Sequence, residues 1–331
     1  MLIKNAFVVK EEIEFEMAVK LYHYNKNIVF LYKRGFKNFL LNYGIPNKNL
    51  LVLSKLYKEN SGYFIENLFC RYQDWIKNSN FKNRYRIDYG YGNGNFVFDD
   101  RTEKSEKEKG FVCSSEYQKQ RYEEIRTTPG IILGNSKFDE FVHEQMKFKK
   151  TKPMILYLHT WKKNKPIEDW IGKSNGYKYS GETDIEATAK ILEQYTDKFE
   201  IVHKNHHLTS FNFDKFTNIK NGTVDSYDLI KQADLIIAEY GGSAVEAVLG
   251  DGKLIYVDDD NLESCCPTNL DTLVHYDFNH CKVSELKDMI DKVLSTPISN
   301  EEIENKKKWR EKFFPCRNCG AKNIAEFMES L

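Results

Sequence analysis

The sequence predicts an α/β protein in which two doubly wound domains face a central cleft. Short apolar runs alternate with amphipathic segments in both halves of the chain, a pattern typical of parallel sheets covered by helices. The 331 residues suffice for two domains of ordinary size. A basic stretch ending at Pro153 predicts the linker between them. We therefore expect one domain at residues 1–150, a second at 151–318, and a final helix at 319–331 that packs back on the first.

In the first half, apolar runs predict strands that alternate with helical patterns. The strands are expected at residues 28–32, 50–53, 85–89, 111–114 and 131–133. The helices are expected at residues 34–43, 63–77 and 116–126. The sequence YGYGNGN at residues 89–95 has no apolar helix after it, so it is not a dinucleotide fingerprint. A substrate-side loop and a flexible loop remain as alternatives there.

In the second half, four apolar runs predict buried strands at residues 154–159, 200–203, 235–238 and 254–257. Helical patterns lie at residues 185–195 and in the segment that follows Asp225. Asp225 is a good N-cap for that second helix, and we favour this structural role for it.

The turn after residues 235–238 is the most informative segment. Gly241 and Gly242 let the backbone turn sharply into a helix that begins near Ser243. The first N–H groups of a helix have no internal partner, and the helix dipole adds partial positive charge there. The sequence therefore predicts a phosphate-sized anion site at the carboxyl end of a strand. For Glu246, two interpretations stay open: a capping box with Ser243, or contact with nucleotide hydroxyls.

Polar side chains follow several other predicted strands. His159, Thr160 and Lys162 follow the first strand of the second domain, and Lys204 and His206 follow the next. Because the carboxyl ends of parallel strands meet at one edge, these groups are expected to face the cleft. We favour phosphate contact by His206 over metal binding, since adjacent histidines alternate faces on a strand.

Two further sets of residues are predicted to lie at the cleft. Glu239 ends the strand before the glycine turn and could accept hydrogen bonds from a hydroxyl or hold the turn. Gly134, Asn135 and Ser136, followed by Lys137, end the last strand of the first domain and are expected close to the crevice.

Composition excludes several classes of protein. Lys plus Arg and Asp plus Glu both total 49, which argues against a strongly electrostatic nucleic-acid partner. No apolar run approaches the ~20 residues of a membrane-spanning helix, and acidic residues lie near the N-terminus, so a cytoplasmic location is expected. For the basic segment at residues 305–314, a solvated helix is favoured over peripheral contact with anionic lipid headgroups.

Seven cysteines in such a chain indicate reduced thiols rather than a disulfide framework. Cys265, Cys266, Cys316 and Cys319 could bind zinc if their loops met, but the spacing is irregular for a zinc site. A redox role is disfavoured because the C-x-x-C motif does not open the helix of a βαβ unit. The sequence predicts no metal site.

The motifs GNSKFD, MILYLHTWKK, KNHH, ADLIIAEYGGSAVEA and KLIYVD occur in this order over residues 112–260. The order resembles the CDP-glycerol glycerophosphotransferase family, whose members build teichoic acids and related capsular polymers on a GT-B fold. The resemblance implies two Rossmann-like domains, with the acceptor side in the first and the nucleotide donor in the second. It also implies that His206 and the Gly241-Gly242-Ser243 turn hold the donor pyrophosphate.

The chain departs from the family in two features that matter for mechanism. The early His-Gly-Thr segment, with its acceptor-side histidine, is not recognisable, and residues 89–95 would occupy its place without a histidine. Asp88, Glu239 and His206 are the remaining candidates for catalytic groups. The glycine turn followed by Glu246 also resembles non-hydrolysing UDP-N-acetylglucosamine 2-epimerases.

Three functions follow as expectations. The favoured one is a metal-independent transferase that moves a glycerophosphate or glycosyl unit from a CDP- or UDP-linked donor to a glycan or lipid-linked acceptor. The donor is a substrate, and no cofactor is expected. The alternatives are a sugar-nucleotide 2-epimerase and a nucleotide-binding scaffold without catalysis.

Overall fold

The structure contains two sheets of parallel strands, one in each half of the chain. The computed structural model describes residues 1–12, 14–59, 61–71, 78–87, 106–124, 127–159, 184–205, 211–239, 242–257 and 274–331. The strand pairs found in these residues are all parallel, as βαβ connections require. The α/β class predicted from the sequence is confirmed.

The first sheet has the strand order β3-β2-β1-β4-β5-β6-β7, so its N-terminal strand lies inside the sheet. Its strands are β1 (Leu2–Val9), β2 (Val29–Tyr32), β3 (Leu50–Val52), β4 (Phe64–Cys70), β5 (Phe81–Ile87), β6 (Glu108–Cys113) and β7 (Gly130–Ile132). The second sheet has the order β10-β9-β8-β11-β12-β13. Its strands are β8 (Met154–Leu158), β9 (Glu200–Lys204), β10 (Thr217–Ile219), β11 (Leu235–Ala238), β12 (Lys253–Val257) and β13 (Asn279–Cys281).

Helices cover both sheets. In chain order they are α1 (Glu14–Tyr24), α2 (Lys37–Asn42), α3 (Glu116–Glu123), α4 (Ile185–Leu192), α5 (Ser226–Gln232), α6 (Gly242–Ala247), α7 (Leu286–Ser295), α8 (Asn300–Phe313) and α9 (Gly320–Ser330). On the second sheet, α5, α6 and α8 pack on one face, and α4 and α7 pack on the other. The Asp225 carboxylate accepts hydrogen bonds from the Tyr227 and Asp228 N–H groups, which confirms Asp225 as the N-cap of α5.

The helix predicted at residues 63–77 is wrong over its first half. Residues Phe64–Cys70 form strand β4, which pairs with β1 on one side and β5 on the other. A strand in the interior of a parallel sheet is apolar on both faces, so its pattern can be mistaken for that of a helix. Leu68 and Phe69 accordingly pack into hydrophobic cores on opposite faces of the sheet. Residues 72–77 lie outside the described part of the chain.

Helix α9 returns from the second half of the chain and packs on the first sheet. Ala321, Ile324 and Met328 share a hydrophobic core with residues of β1 and α1. The buried Asn5 side chain donates to the Met328 carbonyl at 2.6 Å, which fixes the end of the helix against β1.

Helix α9 also approaches the segment that follows β7. Gly134 adopts a left-handed φ of 92°, and a Cβ there would lie 2.9 Å from Gly320 Cα. A Cβ on Gly320 would lie 2.6 Å from the Asn135 carbonyl carbon. Both glycines are therefore needed for this backbone-to-backbone contact.

The cysteine prediction needs a correction. Cys316 and Cys319 form a disulfide immediately before α9, whereas the sequence suggested reduced thiols. Their three-residue separation places both sulfurs in the same tight turn. Cys265 and Cys266 lie outside the described residues. Among the residues that the structure describes, no group of three or more potential metal ligands occurs.

The basic segment at residues 305–314 belongs to α8, which is only partly solvated. Trp309 and Phe313 pack into the core of the second domain. Lys306 is buried and donates to the Gly250 carbonyl, and Arg310 donates to the carbonyls of Val248 and Gly250. The cationic side chains of Lys306 and Arg310 are thus hydrogen-bonded to groups within the protein. No helix in the described ranges is long and apolar enough to cross a membrane.

Candidate functional site

A buried charged cluster lies where the carboxyl ends of the two sheets meet. Lys20 of α1 is 1% exposed, and its ammonium contacts the Asp225 carboxylate at 2.8 Å. The same ammonium donates to the backbone carbonyls of Lys137 and Asp139 at 2.7 and 3.0 Å. One cation therefore joins α1, the segment after β7, and the N-terminus of α5. This arrangement ties the two halves of the chain together at the rim of the junction.

Glu16, one helical turn before Lys20, adds a second connection. Its carboxylate accepts from the Ser226 hydroxyl at 2.8 Å and from the Ser226 N–H at 3.2 Å. Burial raises the pKa of Glu16, and the nearby Asp225 carboxylate raises it further, while the surrounding lysines oppose that shift. Helix α1 thus contacts the start of α5 through both the Glu16 carboxylate and the Lys20 ammonium.

The Lys137 and Glu246 side chains form an ion pair across the junction. Lys137 follows β7 in the first half of the chain, and Glu246 lies on α6 in the second half. The Lys137 ammonium lies 2.8 Å from each oxygen of the Glu246 carboxylate. The side chains are 2% and 11% exposed, respectively, so the carboxylate lies nearer the solvent.

Lys204, at the end of β9, points into the same region. Its ammonium donates to the Asn221 side chain at 3.1 Å. Burial lowers the pKa of Lys204, an effect that the Glu16 carboxylate opposes and the Lys137 ammonium reinforces. Two lysines and one glutamate therefore meet at the junction, where they could contact an anionic ligand that carries hydroxyl groups.

Glu239 lies on the opposite face of the second sheet. Its carboxylate is fully buried and accepts a 2.5 Å hydrogen bond from the Tyr157 hydroxyl. Burial and the adjacent Glu239 charge raise the pKa of Tyr157 well above its usual range. This enclosed position suits a carboxylate that supports the turn after β11 better than a base that faces an open cleft.

His159 and His203 stack beside this pair. Their ring centroids are 4.9 Å apart, and both side chains are buried. His203 Nδ1 lies 3.2 Å from the Asn218 side-chain oxygen. Burial, helped by the neighbouring His159, lowers the pKa of His203 to about 4. The ring is therefore neutral at pH 7 and forms part of the interior.

The His203 pKa predicts acid sensitivity. Above pH 6.5 the ring is neutral in both the folded and the unfolded chain, so the contribution to stability is fully present. As the pH falls towards 4, only the unfolded chain gains the proton, which costs about 2–3 kcal/mol by pH 4.5. Glu14 and Asp139, whose pKa values burial raises to about 7 and about 6, act in the opposite direction.

We therefore expect the difference in unfolding free energy between wild type and His203→Gln to shrink by that amount between pH 7 and pH 4.5. Urea unfolding at several pH values measures the difference, and Glu14 and Asp139 cancel because they are present in both proteins. A difference that does not change with pH would contradict the assignment.

The structure divides the predicted site residues into two groups. Lys204 and Glu246 meet at the junction, whereas Glu239 and His159 lie on the other face of the second sheet. This separation follows from the two-residue period of a strand. The successive residues His203 and Lys204 point to opposite faces of the sheet, and His203 stacks with His159 on the face away from the junction.

Other predicted residues lie outside the described ranges. They are Asp88, Thr160, Lys162, His206 and Gly241.

The capping-box interpretation of Glu246 is wrong in this structure. Helix α6 begins at Gly242, so Ser243 is its second residue rather than its cap. The Glu246 carboxylate bonds to Lys137 instead. Gly242 and Ser243 are both half-buried at the start of this six-residue helix.

Gly134, Asn135 and Ser136 contribute to the packing of α9, and Gly134 and Asn135 also line a cavity with Ser114 and Gln118. Gly134 lies against Gly320, and Ser136 is fully buried. The functional signal in this segment is the next residue, Lys137, whose side chain crosses the junction. Sequence analysis also missed Glu16 and Lys20, because nothing local distinguishes them from the polar face of an ordinary helix.

Structural comparisons identify proteins of the same fold. The wall teichoic acid polymerase TagF matches with a TM-score of 0.58 and 12% identity, over 99% of this chain and 89% of the other. A protein from Listeria monocytogenes, assigned as a UDP-N-acetylglucosamine 2-epimerase, matches with a TM-score of 0.57 and 12% identity over 100% and 96%. Staphylococcus aureus MnaA, solved with UDP, matches with a TM-score of 0.54 and 10% identity over 98% and 97%.

Comparisons of sequence find nothing similar: no protein-family model and no curated protein matches the chain. At 12% identity or less, the structural matches establish the architecture and not the activity. The resemblance inferred from the order of motifs is thereby confirmed at the level of the fold. The chain has the GT-B-like fold, two parallel α/β sheets joined at a junction, that TagF and these other proteins share.

Proposed function

We propose that the chain is a transferase that uses a nucleotide diphosphate donor. It would move a glycerophosphate or glycosyl unit from a CDP- or UDP-linked donor to a glycan or lipid-linked acceptor. The observation that carries the proposal is the meeting of Lys137, Lys204 and Glu246 where the carboxyl ends of both sheets converge. Ligands of open parallel sheets bind at this edge.

The chemistry of these three side chains suits a nucleotide diphosphate. A diphosphate would supply the negative charge that favours the ammonium form of Lys204, whose pKa burial lowers. The Glu246 carboxylate is an acceptor for the ribose hydroxyls. The Lys204 ammonium at the leaving phosphate would stabilise the charge that grows there during transfer, so the proposal needs no divalent metal.

The group that activates the acceptor is a separate part of the proposal. Because Glu239 is buried and bonded to Tyr157, we assign it a supporting role. Asp88, just beyond the end of β5, and His206, just beyond β9, are the candidates that remain for proton transfer and phosphate contact. Both follow strands whose carboxyl ends face the junction.

A thermal-shift experiment tests nucleotide binding. We expect CDP or UDP to raise the melting temperature by a few degrees, since a ligand present at 100 times its Kd stabilises the native state by about 2.7 kcal/mol. The compounds to compare are CDP, UDP, CMP and GDP, with CDP-glycerol and UDP-N-acetylglucosamine as intact donors. Lys204→Met should abolish most of the shift.

The matched control is Lys306→Met, which removes another buried lysine of the same half that lies next to Glu302 on α8. That variant should melt lower than wild type without ligand, yet it should respond to the nucleotide by the same number of degrees. No shift with any diphosphate, or an undiminished shift in Lys204→Met, would contradict the proposal.

A 2-epimerase is the second candidate. The Listeria monocytogenes protein assigned as a 2-epimerase matches the fold with a TM-score similar to that of TagF, so the architecture favours neither activity. Incubation with UDP-N-acetylglucosamine in the absence of an acceptor separates the two functions. Formation of the 2-epimer would support the epimerase and argue against the transferase.

A further inference from the structure

We infer that Lys137 is a positioning residue that aims the Glu246 carboxylate at the ribose of the donor. Recognition of the ribose in the second half of the chain would then depend on a side chain from the first half. This inference rests on the proposed function, because it assumes that a nucleotide binds at the junction.

The geometry of the ion pair supports this role. The Lys137 ammonium contacts both Glu246 oxygens at 2.8 Å from the less exposed side, with 2% of the lysine and 11% of the glutamate side chain exposed. A carboxylate has about four lone-pair sites, so those on the solvent side remain available to ligand hydroxyls. The Lys137 ammonium therefore contacts the carboxylate on its buried side and leaves the lone pairs on the solvent side to the ligand.

Lys137 is itself held firmly by the first half of the chain. Its N–H donates to the Asn135 side chain at 3.0 Å, and its carbonyl accepts from Lys20 at 2.7 Å. Two residues later, the Asp139 carboxylate accepts from the Gly320 and Ala321 N–H groups at 2.9 and 2.5 Å. The backbone that carries the Lys137 side chain is thus held by contacts within the protein, so its position does not depend on the ligand.

Loss of Lys137 would leave the Glu246 carboxylate largely buried without this cation. A buried charge without a partner is costly, so the carboxylate would take up a proton or turn away. Lys204 lies close enough to affect the same region electrostatically, but its ammonium donates a hydrogen bond to Asn221. Lys137 is therefore the residue that sets the direction of the carboxylate.

Calorimetric titration with CDP and with 2′,3′-dideoxy-CDP tests the inference, because the second ligand lacks the ribose hydroxyls. UDP and its dideoxy analogue replace them if the protein prefers uridine. Wild type should prefer the ribonucleotide about tenfold, as expected for hydrogen bonds to a charged group. Lys137→Met should reduce that preference to nearly one, and Lys137→Arg should restore it because a guanidinium can hold both carboxylate oxygens.

Two controls separate positioning from general damage. Lys306→Met removes a buried lysine away from the junction and should keep the tenfold preference. In a Glu246→Gln background the preference should already be lost, and adding Lys137→Met should change it no further. This double variant contains no unpaired buried charge, so it remains informative if Lys137→Met alone folds poorly.

Each outcome decides the inference. A preference for the ribonucleotide that survives in Lys137→Met would overturn it. Equal weakening of both ligands would also overturn it, since that result indicates a direct contact between Lys137 and phosphate. Failure of wild type to bind any nucleotide would remove the proposed function and this inference together, whereas the first two results would leave the proposed function standing.

Discussion

Replacement of Lys20 by methionine is expected to lower the free energy of unfolding by about 3–5 kcal/mol. The Lys20 ammonium is buried, pairs with Asp225 at 2.8 Å, and donates to the carbonyls of Lys137 and Asp139. Methionine fills similar space but removes the charge, so the Asp225 carboxylate would stay buried without its cation. Chemical denaturation of wild type and variant measures the effect.

The matched control is Lys231→Met. Lys231 of α5 also reaches a residue from the first half, Glu140, at 3.6 Å, but both side chains are well exposed. An exposed ion pair contributes about 0–1 kcal/mol, so this variant should be close to wild type. Adding Asp225→Asn to Lys20→Met should recover part of the loss, because the unpaired charge is gone. Similar small effects for Lys20 and Lys231 would contradict the view that the buried cation joins the two halves.

Gly320→Ala is expected to destabilise the protein on the order of 3 kcal/mol, a large value for one added methyl group. A Cβ at this position would lie 2.6 and 2.8 Å from the carbonyl carbon and nitrogen of Asn135. Backbone atoms cannot rotate away as the end of a side chain can. Either α9 or the segment after β7 must therefore move, and the second change would also displace Lys137.

The control for this substitution is Gly35→Ala. A Cβ on Gly35 would meet nothing within 4 Å, although its φ of 102° disfavours alanine. This variant should lose only about 1–2 kcal/mol. Melting temperatures of the two variants give the comparison, and nucleotide affinity adds a second readout for Gly320→Ala. If both variants lose the same stability, the close contact between α9 and Asn135 does not limit packing.

Much of the second sheet could be predicted from the sequence. Residues 235–238 and 254–257 are continuous apolar runs, and the structure has strands Leu235–Ala238 and Lys253–Val257. Such runs are typical of strands covered by helices on both faces. The short strands β10 and β13 have three residues each and carry too few apolar positions to show a pattern.

The first sheet was harder to predict for two physical reasons. Strand β1 contains Asn5, whose buried side chain donates to the carbonyl of Met328, more than 300 residues later, and accepts from Asn67 of β4. No local pattern can reveal such a partner. Strand β4 has buried residues on both faces, which hides the two-residue period of a half-buried strand.

The strand ends that carry the site residues could be predicted from the sequence, but the ion-pair partner of Glu246 could not. The convergence of Lys204 and Glu246 follows from their positions at or after the carboxyl ends of β9 and β11, the two strands that flank β8 in the parallel sheet. The separation of Glu239 from Lys204 could have been derived from the alternation of side chains along strands. By contrast, the partner of Glu246 comes from the first half of the chain, and its identity depends on how the two halves are docked.

The contact of α9 with β1 and α1 has a consequence for synthesis on the ribosome. Ala321, Ile324 and Met328 complete a core whose other members, such as Phe7 and Met17, leave the exit tunnel some 300 residues earlier. The first-made half of the polypeptide therefore keeps apolar side chains uncovered until residues 320–328 have left the tunnel. Chaperone binding to released chains that end before residue 320 should accordingly exceed binding to released chains that extend past residue 328.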